Sequence, residues 1–214
     1  MKYLYIISFF FLCSCGSKEK QDRKFTIVTL HGYNGSSKDF EEFSKSIDDS
    51  IEIKNLEGFF PIDEKRSSWA DIKKIRINNS WFNEKDTYYS TVKIREILKG
   101  IDNEIILVGE SQGATIGYSL IIRYPDFFKY LVSINGFVDS GSNFPRTVDD
   151  YSNVKILSLN ATNDFIVTEE MLKYSTEYLN SLKIENTLVR HNEGHTYTTE
   201  EIKIFVDWIN NLKE

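Results

Sequence analysis

The chain has 214 residues, 41% of them apolar and 14% aromatic, with three prolines and no repeat or low-complexity tract. That is enough for one domain with a substantial core and too little for two ordinary ones. Residues 1–24 hold five of the 26 basic and two of the 32 acidic side chains, so residues 25–214 keep 21 against 30, a formal charge of −9 that argues against nucleic acid or anionic lipid as the main partner.

The first fifteen residues, MKYLYIISFFFLCSC, place one lysine before an uncharged apolar run from Tyr3 to Leu12. The run is too short to span a bilayer and has the layout of a signal peptide. Its end, Leu12 to Cys15, resembles the bacterial lipobox, which predicts a signal peptide over 1–14 and a lipidated Cys15. Residues 15–24 then form a polar tether, and multiple acyl chains at Cys15 would hold the protein to a membrane of the cell envelope. Cys13 and Cys15 are the only cysteines, so residues 16–214 contain no disulfide, thiolate nucleophile or cysteine metal site.

From residue 25 onward, short β-branched apolar runs alternate with amphipathic stretches. Phe25–Leu30, the segment near Ile51, Glu104–Val108, Tyr130–Asn135, Val154–Leu159 and Asn186–Val189 read as strands. Several are apolar at nearly every position, as strands covered on both faces are. Lys38–Asp49, Asp86–Lys99, Ser111–Tyr124, Glu169–Leu182 and Thr198–Leu212 read as helices, the second capped by Asp86 or Thr87. The alternation predicts an α/β domain over 25–214: a mainly parallel sheet with helices on both faces. Asn55–Lys85 is the one long irregular stretch. Only eighteen residues lie between Asn135 and Val154, too few for a large cap domain.

Ligands in such folds sit at the carboxyl ends of the strands, which directs attention to the loops that follow them. Gly109-Glu110-Ser111-Gln112-Gly113 matches G-x-S-x-G between a buried strand and a helix. There, flanking glycines let strand and helix approach while a strained turn presents the serine hydroxyl. Serine needs a base near neutral pH. His195 stands after the last strand and before the final helix, the position of the base in the order Ser…Asp…His, with His191 as the rival. The acid that orients the base should follow an intervening strand. Asp164 does so, with Asp139 and the pair Asp149/Asp150 as rivals. His31-Gly32-Tyr33 closes the first strand and resembles an HG segment that lends a backbone N–H to an oxyanion hole, with the N–H of Gln112 as its partner.

Together these residues resemble the α/β-hydrolase superfamily, and within it the small phospholipase/carboxylesterase group that includes acyl-protein thioesterases. The likeness runs from Phe25 to Leu212. LHGYNGSS is similar to the family's LHG loop, GESQGA to its GFSQGG elbow, and RSSWADI to a loop carrying tryptophan and aspartate. NATNDFIV resembles its G-x-x-D-x-x-V segment, without the glycine, and EGHTYTTEEIKIFVDWI its terminal histidine and helix. Glu110 stands where the family has an aromatic.

The resemblance implies Ser111 as nucleophile, Asp164 as orienting acid, His195 as base, and the N–H groups of Tyr33 and Gln112 as the oxyanion hole. It implies no cofactor and no metal. An open cleft would take a small-molecule ester or thioester, with His31, Trp69, Trp81 and Phe82 as pocket candidates; these aromatics equally suit a sheet edge. Two other readings stay open: a serine peptidase or acyltransferase using the same three side chains, and a surface lipoprotein that keeps the fold without catalysis.

Overall fold

A computed structural model describes residues 25–77, 80–142 and 146–213. The signal peptide, Cys15 and the tether lie outside the described residues. Six strands form one sheet: β1 (Phe25–Leu30), β2 (Glu52–Leu56), β7 (Glu104–Glu110), β8 (Tyr130–Ile134), β9 (Lys155–Ala161) and β10 (Glu185–His191). Their spatial order is β2-β1-β7-β8-β9-β10, and every neighbouring pair is parallel.

The alternation of side chains along the strands builds two cores. Val28, Leu30, Ile105 and Leu107 face a cluster that includes Ile94 and Leu98 of α2 (Glu84–Leu98), Ile116 and Leu120 of α3 (Gln112–Arg123), and Leu179 of α4 (Glu169–Ser181). Ile27, Ile106 and Val108 face the opposite way. They pack with Phe43 of α1 (Glu41–Lys45) and with Phe205 and Ile209 of α5 (Thr199–Lys213). The central strands β1, β7 and β8 are thus covered on both faces, which explains their continuous apolar sequences. The expected α/β-hydrolase architecture is the one observed.

Three local expectations need correction. The first helix is shorter than Lys38–Asp49: a 3-10 turn at Ser37–Phe40 leads into α1, which ends at Lys45. Asp39 closes a capping box with Ser36 there, accepting from both the Ser36 N–H and its hydroxyl. The second helix starts earlier than Asp86, because the Asn83 side chain accepts from the Lys85 and Asp86 N–H groups and caps it. The stretch 55–85 is also not irregular throughout. It folds into two small antiparallel pairs, β3 (Phe60–Pro61) with β4 (Ser67–Ser68) and β5 (Ile72–Ile77) with β6 (Ser80–Phe82).

The sheet reverses direction of growth between β1 and β7. The chain leaves β1 for β2 on one side and later returns to β7 on the other, with Leu30 paired to Gly109 at their carboxyl ends. This is the topological switch point, where an open α/β sheet leaves a crevice. The exit loops of β1 and β7 meet there.

Candidate active site

Ser111 sits on the turn between β7 and α3 with φ 52° and ψ −113°. This left-handed conformation is costly for a residue with a Cβ. The surrounding contacts enforce it. The Ser111 N–H donates to the Ile134 carbonyl of β8 at 2.9 Å, and α3 presses onto the end of β1. A Cβ on Gly113 would lie 1.9 Å from the Leu30 oxygen, and one on Gly109 would lie 2.5 Å from Ala114 Cα. Both glycines are therefore steric requirements of the turn that holds the hydroxyl out.

Three side chains from three strand ends converge on that turn. His195 Nε2 lies 2.9 Å from Ser111 Oγ, and His195 Nδ1 lies 2.6 Å from Asp164 Oδ2. Asp164 is 1% exposed at its side chain and His195 21%, so the acid is sheltered while the imidazole reaches the crevice. The second oxygen of Asp164 accepts from the Ile166 and Val167 N–H groups at 2.7 and 3.0 Å, which locks the carboxylate plane. The arrangement can move the serine proton to Nε2 while the carboxylate holds the ring in one tautomer.

Sequence reasoning missed the asparagines that bring these loops together. Asn163 Oδ1 accepts from the Gly194 N–H, and its amide donates to the Asn192 carbonyl, tying the Asp164 loop to the His195 loop. Asn135, at the end of β8 with φ 47°, donates to the Thr196 carbonyl at 2.6 Å and accepts from the Ala161 N–H. Short polar side chains that tolerate positive φ are the signal that could have marked them.

The rivals fall elsewhere. His191 is 3.1 Å from the buried Glu201 carboxylate and 3.3 Å from Asn135 Oδ1. Asp139 is spent on backbone, accepting from Trp81, Phe82 and Gly141 N–H groups. Asp149 pairs with Arg146, and Asp150 accepts from the Ser152 N–H.

The exit loop of β1 lies against the serine: a Cβ on Gly32 would be 3.6 Å from Ser111 Cβ. Tyr33 follows it on the exposed rim. Gln112 opens α3, where a backbone N–H has no partner within the helix. Its buried side chain accepts from the Trp69 N–H at 2.9 Å and donates to the Ala70 carbonyl at 2.7 Å. Gln112 thus also bolts the segment before β5 to the turn.

The pocket candidates divide. His31 and Trp69 are fully buried and cannot line a cleft as expected. Both ring nitrogens of His31 are engaged in the interior, and the Trp69 indole N–H donates to the His31 carbonyl at 2.8 Å. Phe82 is also buried, its ring 6.1 Å from that of Phe137. Trp81 keeps part of its surface, with its ring 5.9 Å from Phe137. Phe165, 96% exposed beside Asp164, is an apolar rim residue that the sequence reading passed over.

Glu110 reaches the same region. Burial pushes its carboxyl above the usual carboxylate range; the nearby His195 opposes that effect and Asp39 adds to it. Among the described residues, no group of three or more His, Cys, Asp and Glu side chains is placed to hold a metal ion.

Comparison with known proteins gives the family and the fold. The family model described as Phospholipase/Carboxylesterase matches residues 16–213. Among solved structures, the carboxylesterase of Bacillus cereus superposes with a TM-score of 0.74 at 21% identity, over 90% of each chain. SOBER1 of Arabidopsis thaliana gives 0.71 at 18% identity, over 90% of this chain and 100% of that one. Acyl-protein thioesterase 2 of Zea mays gives 0.71 at 17%, over 90% and 95%. At these identities the likeness is one of fold. A sequence search of curated proteins returns no match.

Proposed function

The chain belongs to the phospholipase/carboxylesterase family, and from that premise we propose that it is a serine hydrolase that cleaves carboxylic esters or thioesters through an acyl-enzyme on Ser111. One observation carries the proposal: the unbroken chain of contacts from Ser111 Oγ to His195 Nε2 at 2.9 Å and from His195 Nδ1 to Asp164 at 2.6 Å.

The steps follow from that geometry. His195 Nε2 accepts the Ser111 proton as Oγ attacks the carbonyl carbon, and Nδ1–H donates to Asp164, which stabilises the imidazolium. The N–H groups of Tyr33 and Gln112 receive the oxygen of the tetrahedral intermediate, each donor contributing about 2.7–4 kcal/mol where such holes have been dissected. Collapse expels the alcohol or thiol, which takes its proton from His195. A water activated by the same nitrogen then releases the acid.

The accessible edge at Ser111 suits a substrate whose scissile bond is exposed, and the 96% exposed Phe165 beside Asp164 offers it an apolar contact at the rim. Turnover of p-nitrophenyl acetate, a thioester and a peptide by the same preparation tests the reading. Ester or thioester hydrolysis that Ser111→Ala abolishes is expected; a folded protein inert to the first two would contradict it, and cleavage of the peptide alone would favour a peptidase.

We further propose that Cys15 is lipidated and holds the domain to a membrane of the cell envelope. The motivation is the apolar run ending in Leu12-Cys13-Ser14-Cys15, followed by a polar tether. Cys15→Ala is expected to move the expressed protein from the membrane to the soluble fraction, and unchanged partitioning would refute the anchor.

A further inference from the structure

His31 is a polar ring with no solvent exposure, and such a ring is costly unless both nitrogens are satisfied. Both are. Nε2 lies 3.0 Å from the Gly58 backbone nitrogen, which can only donate, so Nε2 is the unprotonated acceptor. The ring proton is therefore on Nδ1, which lies 2.8 Å from the Gly32 carbonyl oxygen, a group that can only accept. Ser67 Oγ and Glu57 Oε1 also lie near Nε2, at 3.2 and 3.4 Å, and the Ser67 hydroxyl gives its proton to Glu57; the shorter, donor-only Gly58 N–H decides the assignment. With the opposite tautomer, two lone pairs would face each other at Gly32.

The carbonyl that His31 grips belongs to the same peptide unit as the Tyr33 N–H. No cis peptide occurs among the described residues, and in a trans peptide C=O and N–H point in opposite directions. Holding the Gly32 oxygen toward His31 therefore turns the Tyr33 N–H away from it. The Gly35 N–H adds a second bond to that oxygen at 3.2 Å. A Cβ on Gly35 would come within 3.1 Å of both His31 Nδ1 and the Gly32 oxygen, so glycine keeps this grip unobstructed. The ring is also held on its face, its centroid 5.1 Å from that of Trp69, whose indole N–H bonds the His31 carbonyl.

We propose that His31 is a positioning residue. Its Nδ1–H, with the tautomer fixed by the Gly58 N–H, sets the plane of the Gly32–Tyr33 peptide so that the Tyr33 N–H faces the oxygen developing on the substrate carbonyl. The inference rests on the serine-hydrolase reading above. It assigns the His31 side chain a role that neither burial nor packing requires: a preference for a donor at one ring position.

Two substitutions separate this role from simple packing. An asparagine amide reaches roughly where Nδ1 lies, and a glutamine amide roughly where Nε2 lies. His31→Asn is therefore expected to keep kcat within about tenfold of the parent enzyme. His31→Gln should lose about 100-fold or more in kcat with little change in KM, the signature of a donor felt only in the transition state. Equal losses in the two variants, or a loss confined to KM, would overturn the proposal.

Long-range 1H–15N spectra of the unsubstituted protein give a test that does not depend on a variant folding. They should show His31 protonated at Nδ1, and protonation at Nε2 would equally overturn the proposal. Wild-type enzyme inert toward esters and thioesters would instead bring down the hydrolase reading and this inference with it. An active wild type whose activity needs Ser111, but whose His31 variants behave alike, brings down this inference alone.

Discussion

Glu110 is the residue at which the site is costly. Its carboxyl is drawn out of water beside Ser111, and burial raises its pKa above the ordinary value. For an acid raised on folding, the unfolded chain gives up its proton first as pH rises. Stability then falls through that window, and the full cost is present above the folded pKa. Below about pH 4, where the unfolded group is protonated as well, the cost disappears. Glu110→Gln is therefore expected to raise Tm at pH 8 and to lose that advantage near pH 4. Thermal unfolding of both proteins at the two pH values checks this, and a lower Tm for the variant at pH 8 would contradict it. In the proposed mechanism such a carboxylate would supply negative potential next to the ring of His195 as that ring accepts the serine proton.

At this scale the sequence was most legible where one residue carries one role at a strand end. Ser111, Asp164 and His195 could each be placed because β7, β9 and β10 end beside them. His31 was not legible in the same way. Its partner Gly58 lies 27 residues on, and the value of its side chain depends on which nitrogen that N–H meets. The sequence placed it in the HG segment and among the pocket candidates, whereas the fold buries it with both ring nitrogens engaged.

Among the elements, the hairpin β5–β6 depends on an acid from a different part of the chain. Asp139, in the loop after β8, accepts from the Trp81 and Phe82 N–H groups at 2.8 and 3.0 Å and from the Gly141 N–H at 2.7 Å. Burial raises its pKa, and the three N–H groups offset part of that desolvation. Asp139→Ala leaves three donors without this acceptor and is expected to cost at least about 2 kcal/mol, since hydrogen bonds to charged groups contribute about 1.5–3 kcal/mol each. Urea unfolding reads the loss, and a midpoint unchanged from the parent would contradict it.

The hairpins escaped the sequence reading for a physical reason. β3 and β4 are two residues each, β4 is Ser67-Ser68, and β6 has three residues. No period-2 pattern can be established over so few positions, and pairing is fixed by tertiary contacts such as that of Asp139. The long central strands were readable because burial on both faces leaves them almost wholly apolar. Helix ends were less so: Asn83 rather than Asp86 begins α2, a choice made by which side chain reaches the free N–H groups.

For the molecule as a whole, chain order and chemistry coincide at the switch point between β1 and β7. There the loop Leu30–Tyr33 meets the turn Glu110–Gly113, and the later strands β9 and β10 deliver Asp164 and His195 to the same edge of the sheet. The parallel order of the strands makes this possible, because every carboxyl end opens on one side. Only eighteen residues bridge Asn135 and Val154, which leaves that edge without a large cap and Ser111 within reach of solvent.

The central claim is that this edge of the sheet carries a nucleophilic Ser111, and a fluorophosphonate probe addresses it directly. Mass spectrometry of the labelled protein is expected to find one covalent adduct, on the peptide that contains Ser111. The adduct should be absent from Ser111→Ala and strongly reduced in His195→Ala. A folded wild-type protein that takes up no label, or an adduct that persists in Ser111→Ala, would contradict the account.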